Sequence, residues 1–230
     1  MKVCYDLHIH SALSPCADND MTPVNVVAAA SAAGIELMAV ADHNSIKNVA
    51  AAMEIGGVLG VTVVPAMELQ SAEDIHFLCL FDRFENLEKF YNSIKFTDRE
   101  NRPELYGEQL IIDSGDETTG EEKTMLSAGA DIAETEVLPL AERFNGTAVP
   151  AHIDRDANGI IAILGEVPPY YKAVELSADC PPEKAAEFTA DFKVIFDSDS
   201  HCLANIGVNK RIIDIAENSA NALLSYLKGV

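Results

Sequence analysis

Residues 3–11 of the 230-residue chain read VCYDLHIHS, and this stretch carries the strongest structural signal in the sequence. Its valine, tyrosine, leucine and isoleucine residues favour a β-strand. Side chains two apart on a strand project from the same face, so Asp6, His8 and His10 are predicted to point together. A carboxylate and two imidazoles in one row on an apolar strand indicate a binding site.

A second row of the same kind lies near the other end of the chain. Residues 196–201 read FDSDSH, and a strand continuing through them would align Asp197, Asp199 and His201 on one face. The two rows would meet if the first and last strands were neighbours in a closed barrel. The sequence therefore predicts a fold in which both ends of the chain contribute to one site.

All six histidines occupy short, strand-like segments beside acidic residues. The segments are VCYDLHIHS with His8 and His10, VADHN with His43, DIHFLCLF with His76, VPAHID with His152 and FDSDSH with His201. Neutral imidazole is the commonest metal ligand, and interleaved carboxylates favour a hard or borderline divalent ion over a thiolate site. Each histidine falls at or near the C-terminal end of a predicted strand, where active sites of (β/α) barrels lie. This pattern predicts a multinuclear metal centre.

Four acidic residues belong to the same prediction. Glu68 ends the very apolar segment VVPAMELQ and is predicted to bridge two ions. Asp42 directly precedes His43, so their side chains diverge on a regular strand. One of this pair can bind a metal while the other orients a neighbouring ligand. Asp6 and Asp197 are expected either to orient imidazoles in the same way or to be ordinary buried hydrogen-bond acceptors.

Apolar, β-branched runs alternate with alanine-rich segments of helical period, which predicts repeated β-then-α units and a largely parallel sheet. We expect one α/β domain over residues 1–230, and its predicted strands are 3–10, 37–42, 61–69, 75–81, 147–153, 173–176 and 193–196. The predicted helices are 23–33, 46–59, 85–95, 132–144, 183–190 and 216–227, with a further short one within 155–164. Thr22 is the expected N-cap of the first helix and Gly34 its end.

Residues 96–129 interrupt this alternation. The segment is polar and acidic, and its part GEQLIIDSGDETTGEEK predicts a hairpin with residues 113–116 at the turn. We interpret it as an insertion into the domain, either a lid or an oligomer contact.

The chain carries 37 acidic and 16 basic residues, for a net charge of −21. Such a charge repels nucleic-acid backbones and anionic membranes, so we expect a small phosphorylated substrate and neither of those partners. An oligomer is compatible with the composition. Three divalent ions, each adding +2, would change −21 to −15 and put all of the gain into one pocket.

The five cysteines are an odd number without CxxC spacing, which argues against a disulfide scaffold or a zinc ribbon. The N-terminal residues lack the apolar run of a signal peptide, and no apolar stretch is long enough to span a bilayer. A reducing cytoplasm is therefore expected. Free cysteines are usually small buried hydrophobes, so Cys16 and Cys202 are not expected to bind metal despite their closeness to predicted ligands.

In content and order these motifs resemble the PHP family (polymerase and histidinol phosphatase). The resemblance covers essentially the whole chain and runs through DLHIHS, SPCADNDMTP, VADHN, the strand end at Glu68, IHFLCLF, PAHIDR and FDSDSH. It implies a distorted, TIM-like (β/α)7 barrel that holds two or three divalent ions. Nitrogen and oxygen ligands suit zinc, manganese and iron alike.

The resemblance also implies a ligand set shared among three metal sites. The first ion would be held by His8, His10, Glu68 and Asp199, the second by Asp18, His43 and His201, and the third by Glu68, His76 and His152. Asp20 is an alternative to Asp18, because it lies two residues on in a segment aligned only by the following Thr-Pro.

The implied activity is hydrolysis of a small phosphate ester by a water that the metals activate. The catalytic residues would be His8, His10, Glu68, Asp199 and His201. Arg155 follows His152 by three residues and is the candidate for binding the substrate phosphate through a bidentate fork.

Two other interpretations remain open. Amidohydrolases also place an HxH pair at the end of a first strand, but they commonly bridge their metals with a modified lysine and offer a lone aspartate on the last strand. Glu68 and His201 therefore favour phosphoester chemistry. A metal-holding regulatory protein without catalysis would instead have a full ligand set and no open coordination position.

Overall fold

A computed structural model describes residues 1–229 and contains eleven strands in that range. They are β1 (Lys2–Ile9), β2 (Leu37–Val40), β3 (Thr62–Val63), β4 (Ala66–Gln70), β5 (His76–Phe81), β6 (Leu110–Ile112), β7 (Thr118–Glu121), β8 (Gly146–Pro150), β9 (Ala173–Ser177), β10 (Lys193–Asp197) and β11 (Arg211–Asp214). The predicted strand 61–69 is divided into β3 and β4, with Pro65 between them, because proline offers no N–H to a ladder. β11 was not expected from the sequence.

The helices in residues 1–229 are α1 (Pro23–Ala33), α2 (Val49–Leu59), α3 (Phe84–Asn92), α4 (Pro103–Tyr106), α5 (Glu134–Arg143), α6 (Ile160–Leu164), α7 (Pro182–Ala186) and α8 (Ala220–Lys228). The bounds predicted for α1 are confirmed: Thr22 Oγ1 accepts from the Asn25 N–H at 3.2 Å, and Gly34 ends the helix at φ 77°. Among the described residues, no helix has the length and hydropathy to cross a membrane.

The strands combine parallel and antiparallel pairing. β1 pairs in parallel with β2, β2 with β3, and β9 with β10, as predicted. β5 instead runs antiparallel to both of its neighbours, β4 and β8, and β11 runs antiparallel to β1. The predicted α/β class is therefore confirmed, whereas the expectation of a largely parallel sheet is wrong for β5.

Single hydrogen bonds connect the separate sheets around the molecule. The His10 N–H donates to Ser200 O at 2.9 Å, which links the end of β1 to the segment after β10. The Asn44 N–H donates to Glu68 O at 2.9 Å, and the Ile153 N–H donates to Glu175 O at 3.0 Å. Within residues 1–229 the ladders themselves form four sheets and no continuous barrel sheet.

One buried apolar cluster receives side chains from β1, β2, β4, β5, β8, β9 and β10, and also Ile213 from β11. Leu223, Leu224 and Leu227 of α8 pack against it. Each fully buried leucine contributes about 1.5 to 3 kcal/mol relative to an exposed one. This core fixes the strand ends against one another, which positions the residues that follow them.

Residues 96–129 contain the predicted hairpin. β6 and β7 pair antiparallel, and Asp113 Oδ1 accepts from the backbone N–H groups of Gly115 and Glu117 at the turn. Asn48 secures the hairpin, because its side chain donates to Leu110 O and accepts from the Ile112 N–H. The insertion is thus attached to the loop before α2.

Candidate metal centre

The six histidines lie together at one edge of the strands, with neighbouring ring centroids 4.2 to 6.4 Å apart. Five lie within or beyond the C-terminal half of their strands, as expected. His76 differs, because it is the first residue of β5. Since β5 runs antiparallel to β4 and β8, its N-terminal end reaches the same edge as their C-terminal ends. The reversed strand therefore still delivers its histidine to the cluster.

The carboxylate of Glu68, in β4, lies at the centre of this cluster. Five histidines lie within 3.4 Å of its oxygens, with His8, His10 and His43 around Oε2 and His76 and His152 around Oε1. The shortest of these contacts, both 2.8 Å, join Oε2 to His43 Nδ1 and Oε1 to His76 Nδ1. A carboxylate with imidazoles around each oxygen has the arrangement expected of a bridging ligand.

Asp199 contributes a second carboxylate from the segment after β10. Its Oδ1 lies 2.9 Å from His10 Nε2 and 3.5 Å from His8 Nε2. Its Oδ2 pairs with Arg155, whose Nε also donates to Ser177 Oγ at 3.2 Å. Asp199 has φ 48° and His152 has φ 33°, both in the left-handed region that costs non-glycine residues energy. Strain of this kind concentrates at functional sites.

Hydrogen bonds fix which nitrogen of His8 is free. Both oxygens of Glu175 lie 3.0 Å from His8 Nδ1, so Nδ1 keeps its proton, and Nε2 is the nitrogen that carries the lone pair when the ring is neutral. Glu175 is fully buried in β9. Glu175 was not among the predicted site residues, although one glutamate within the apolar strand AVELS was a usable signal.

Hydrogen bonds to Nδ1 also orient the rings of His10 and His201. Ser14 Oγ lies 2.7 Å from Asp42 Oδ1 and 2.8 Å from His10 Nδ1. The single serine proton goes to the carboxyl of Asp42, so His10 Nδ1 donates to Ser14, and His10 Nε2 faces Asp199 Oδ1 at 2.9 Å. His201 Nδ1 donates to the backbone carbonyl of Asp199 at 2.7 Å, which leaves its Nε2 free. Asp42 thus orients the His10 ring through Ser14.

Asp6 and Asp197 do not orient an imidazole and are ordinary hydrogen-bond acceptors, the second of the two roles expected for them. Asp6 Oδ1 accepts from the Ser198 N–H at 3.1 Å, and Asp197 Oδ1 accepts from the Leu7 N–H at 2.6 Å. These bonds join β1 to β10. A shift in the pairing of β1 with β2 between Asp6 and Ile9 breaks the regular alternation on which the prediction relied.

Burial and the neighbouring carboxylates shift the pKa values of the imidazoles in opposite directions. Complete burial lowers the pKa of His10 to about 3, so this ring is neutral. Burial also lowers the pKa of His8, but Glu175, Glu68 and Asp199 outweigh it and raise that pKa well above its usual range. Burial raises the pKa of Glu68, but His76, His8 and His43 bring it well below its usual range. Glu68 is therefore ionised.

The residues present fit a metal centre. Around Glu68, three buried atoms have no hydrogen-bond partner among residues 1–229: His8 Nε2, His43 Nδ1 and Glu68 Oε2. Leaving such an atom unpaired costs about 1 to 3 kcal/mol, and buried polar groups are nearly always paired. Glu68 Oε2 and His43 Nδ1 lie 2.8 Å apart without the orientation of a hydrogen bond. Nitrogen and oxygen lone pairs that converge in this way suit divalent cations.

The loop of residues 11–21 brings an unexpected donor to the cluster. The Sγ atom of Cys16 and a nitrogen from each of His10, His43 and His201 lie within 4.8 Å of one another. Burial raises the pKa of Cys16, but hydrogen bonds with His201 and His43 lower it to about 7. Cys16 and Asp18 are both exposed, and the Asp18 backbone N–H donates to His201 O at 2.9 Å. Among the described residues, the Asp18 carboxylate is in no group of converging metal donors.

Replacing Glu175 should weaken metal binding without removing a ligand. We expect Glu175→Leu to lower metal affinity by about 10- to 100-fold, because a metal-binding imidazole loses the carboxylate that sets its tautomer. Glu175→Gln retains an acceptor for His8 Nδ1 and should have a smaller effect. Isothermal titration of metal-free protein with Zn²⁺ measures both affinities. Equal affinities for both variants and the wild type would show that Glu175 does not orient His8.

The sequence matches no protein-family model and no curated protein. The fold, however, resembles several solved structures. Over 100% of this chain it resembles the lesion-specific endonuclease Q of Pyrococcus furiosus, with a TM-score of 0.69 and 16% identity. It also resembles an Endonuclease Q complex with a 27-mer duplex substrate that has an abasic lesion at the active site, with a TM-score of 0.70 and 15% identity. The chain spans only 56% and 57% of the length of these two proteins.

Two shorter proteins match along nearly their whole length. An amidohydrolase from Chromobacterium violaceum, with bound sulfate, has a TM-score of 0.60 and 17% identity over 98% of this chain and 96% of its own. A proposed metal-dependent phosphoesterase from Bifidobacterium adolescentis has a TM-score of 0.59 and 16% identity over 96% of this chain and 95% of its own. At these identities the comparisons show a shared fold.

The sequence predicted that the chain acts on a small phosphorylated substrate and does not bind nucleic acid. This prediction is wrong in view of these comparisons. A fold of this kind accommodates duplex DNA in Endonuclease Q. The prediction relied on the net charge of −21, which sums over the whole surface. Recognition depends on the local field at a site, and bound cations or an arginine such as Arg155 change that field.

Proposed function

We propose that this chain is a metal-dependent hydrolase of the PHP type that cleaves phosphodiester bonds in nucleic acid. The observation that carries the proposal is the convergence of the unpaired, buried atoms His8 Nε2, His43 Nδ1 and Glu68 Oε2. His8, His10, Glu68 and Asp199 would hold one ion, His43 and His201 would contribute to a second, and Glu68, His76 and His152 would hold a third. Zinc, manganese and iron all accept such ligands.

We further propose that β1, β2, β4, β5, β8, β9 and β10 form the distorted (β/α)7, TIM-like barrel of one domain over residues 1–230. Two features support it: the core cluster shared by these seven strands, and the single hydrogen bonds that connect their sheets. Residues 96–129 would be an insertion into this domain.

The nucleic-acid substrate is supported by the fold likeness to Endonuclease Q and by the surroundings of Asp199. A cavity of about 350 Å³ lies beside this carboxylate and is lined by Arg155, Asn205 and Asn209, among others. A guanidinium and two amides in one cavity can bind phosphate oxygens and bases through hydrogen bonds. Metal ions at the adjacent cluster would add positive charge where a phosphodiester would lie.

The bound ions and the residues of the chain would have different roles in the reaction. Divalent ions, when bound, would supply Lewis acidity that lowers the pKa of water and neutralises charge on phosphoryl oxygens. Glu175 and Ser14 hold protons on Nδ1 of His8 and His10, so that both Nε2 atoms face the centre. Arg155 would exchange its contact with Asp199 for a contact with a substrate phosphate oxygen. Asp199 would then be released for metal binding.

The test is a substrate panel with metal-free protein and with protein reloaded with Zn²⁺, Mn²⁺ or Fe²⁺. The panel contains labelled duplex DNA with and without an abasic site, single-stranded DNA, bis(p-nitrophenyl) phosphate and a dihydroorotate-like amide. We expect strand cleavage that requires added metal. Turnover of the amide alone would support an amidohydrolase instead. Metal-loaded protein that turns over none of these substrates would support a non-catalytic metal-binding protein.

Arg155 provides a separate prediction about the substrate phosphate. We expect Arg155→Gln to lower kcat/KM for the cleaved DNA by about 10- to 100-fold, because a hydrogen bond to a charged group contributes about 1.5 to 3 kcal/mol. Metal content should not fall, since Arg155 is not a ligand. Arg143→Gln, at an exposed arginine of α5, is the control. A similar loss in both variants, or no loss for Arg155→Gln, would contradict the assigned role.

A further inference from the structure

The thiol of Cys16 is close enough to three imidazoles to complete a metal site with them. Its Sγ and one nitrogen from each of His10, His43 and His201 lie within 4.8 Å of one another. Ligands of one tetrahedral ion at about 2.0 to 2.3 Å lie about 3.3 to 3.8 Å from one another, so modest side-chain rotations would bring these four atoms to a common ion. His10 is fully buried and His201 stacks on it with ring centroids 4.2 Å apart.

The backbone on both sides of Cys16 is anchored, so the thiol is held at this position. On the N-terminal side, Ser14 Oγ donates to the buried Asp42, and Ser14 O accepts from the Ala17 N–H at 3.0 Å. On the C-terminal side, the Asp18 N–H donates to His201 O at 2.9 Å. These bonds leave little freedom for residues 15–17.

Residues 96–129, the insertion, also contact the loop of residues 11–21. The Leu110 N–H donates to Ala12 O at 2.8 Å, and the Asn19 side chain donates to Glu108 at 2.6 Å. Gly107 packs so closely on Pro15 that an added Cβ would lie 1.9 Å from the Pro15 carbonyl oxygen. Residues 96–129 therefore support the loop that presents Cys16, and one structural role of the insertion is to position this thiol.

Resting on the metal centre proposed above, we propose that Cys16, as a thiolate, is a ligand of the ion held by His43 and His201. It takes the place that the family resemblance assigns to Asp18. The thiol proton leaves to solvent when the sulfur–metal bond forms. The thiolate also supplies negative charge to a group of donors that otherwise consists of imidazoles.

Thiolate ligation predicts which ions this position accepts. Sulfur ligands favour zinc, cobalt and iron(II), whereas carboxylate and water ligands suit magnesium and manganese. The position bound by Cys16 should therefore retain Zn²⁺ in an excess of Mg²⁺ or Mn²⁺, while ions held only by nitrogen and oxygen exchange more easily. This separates Cys16 from Asp18, whose carboxylate would not impose that preference.

The test uses the full chain, freed of metal and titrated with CoCl₂. A thiolate bound to Co²⁺ produces a near-ultraviolet charge-transfer band that imidazole and carboxylate ligands do not. We expect this band in the wild type, in Asp18→Asn and in Cys202→Ser. Cys16→Ser should lack the band and retain about one metal ion fewer per chain after dialysis. Cys202 is the matched control, because it adjoins His201 but is in no donor group among residues 1–229.

Each other outcome overturns the proposal. Cobalt binding by the wild type without a sulfur band, a band that persists in Cys16→Ser, or loss of the ion only in Asp18→Asn would exclude Cys16 as the ligand while leaving the metal centre intact. Absence of any cobalt binding would overturn both proposals. If Cys16→Ser fails to fold, zinc X-ray absorption of the wild type decides: sulfur at about 2.3 Å from zinc supports the proposal, and nitrogen and oxygen ligands alone overturn it.

Discussion

Glu68→Gln is expected to abolish metal-dependent hydrolysis and to reduce the number of bound ions. The Glu68 carboxylate lies within 3.4 Å of five histidines, so its replacement by an amide removes the anion that the proposed ions share. The loss of kcat/KM should exceed about 100-fold, since losing a group that only orients a metal ligand already costs up to that much. Metal content by mass spectrometry and the rate of DNA cleavage measure the two effects.

Glu134→Gln is the matched control for this variant. Glu134 is also buried, but its carboxylate accepts from the hydroxyl groups of Tyr170 and Tyr171, away from the histidines. We expect this change to alter stability while leaving metal content and kcat/KM near wild type. A Glu68→Gln protein that keeps its metal and more than about a tenth of its activity would contradict the bridging role.

Metal removal should produce the second large effect, a fall in thermal stability. Three buried atoms of the centre, His8 Nε2, His43 Nδ1 and Glu68 Oε2, have no hydrogen-bond partner within residues 1–229, and an ion would satisfy them. Free metal at about 1,000 times the dissociation constant stabilises the native state by about 4 kcal/mol. For a chain of this size, this corresponds to about 8 to 16 °C in Tm. Thermal unfolding with Zn²⁺ and with a chelator measures the difference. Identical Tm values would contradict metal binding by the native state.

This stabilisation should also increase with pH. Burial lowers the pKa of His43, but Glu68 outweighs it and raises that pKa well above the usual range; Glu175, Glu68 and Asp199 do the same for His8. In the metal-free protein, the resulting stabilisation is present below the unfolded pKa of about 6.5 and is lost as pH rises through the folded pKa. Metal binding needs deprotonated imidazoles and therefore strengthens with pH. The Tm difference should be larger at about pH 8 than at about pH 6, and the reverse order would contradict this assignment.

Much of the site could be predicted from the sequence because its donors are spaced by strand geometry. The HxH of residues 8–10 and the strand-end glutamate at position 68 are local patterns, and the structure brings these side chains together. The order of the segments then predicted which distant stretches would meet. The hairpin of residues 110–121 was predictable for the same reason, since its turn residues are contiguous.

The rest depends on tertiary contacts that no local pattern encodes. The direction of β5 reverses because a short turn joins it to β4, yet an apolar run reads the same for either direction. Glu175 of β9 contacts His8 of β1 only because the tertiary structure brings these two strands together, and the sequence of β9 alone does not encode that contact. Cys16 was not expected to bind metal, because free cysteines are usually small buried hydrophobes. Its position beside the histidines depends on hydrogen bonds from its loop to Asp42 and His201, which are distant in sequence. The error about nucleic acid arose from using a whole-chain charge for a local site.

The most direct test of the central claim is a crystal structure of metal-loaded protein with anomalous difference maps collected at the edge of the bound metal. We expect at least two peaks, each within about 2.0 to 2.3 Å of imidazole nitrogens and with a Glu68 oxygen as a shared ligand. Ordered His8, His10, Glu68 and Asp199 side chains without an anomalous peak between them, in crystals saturated with Zn²⁺, Mn²⁺ or Fe²⁺, would contradict the account.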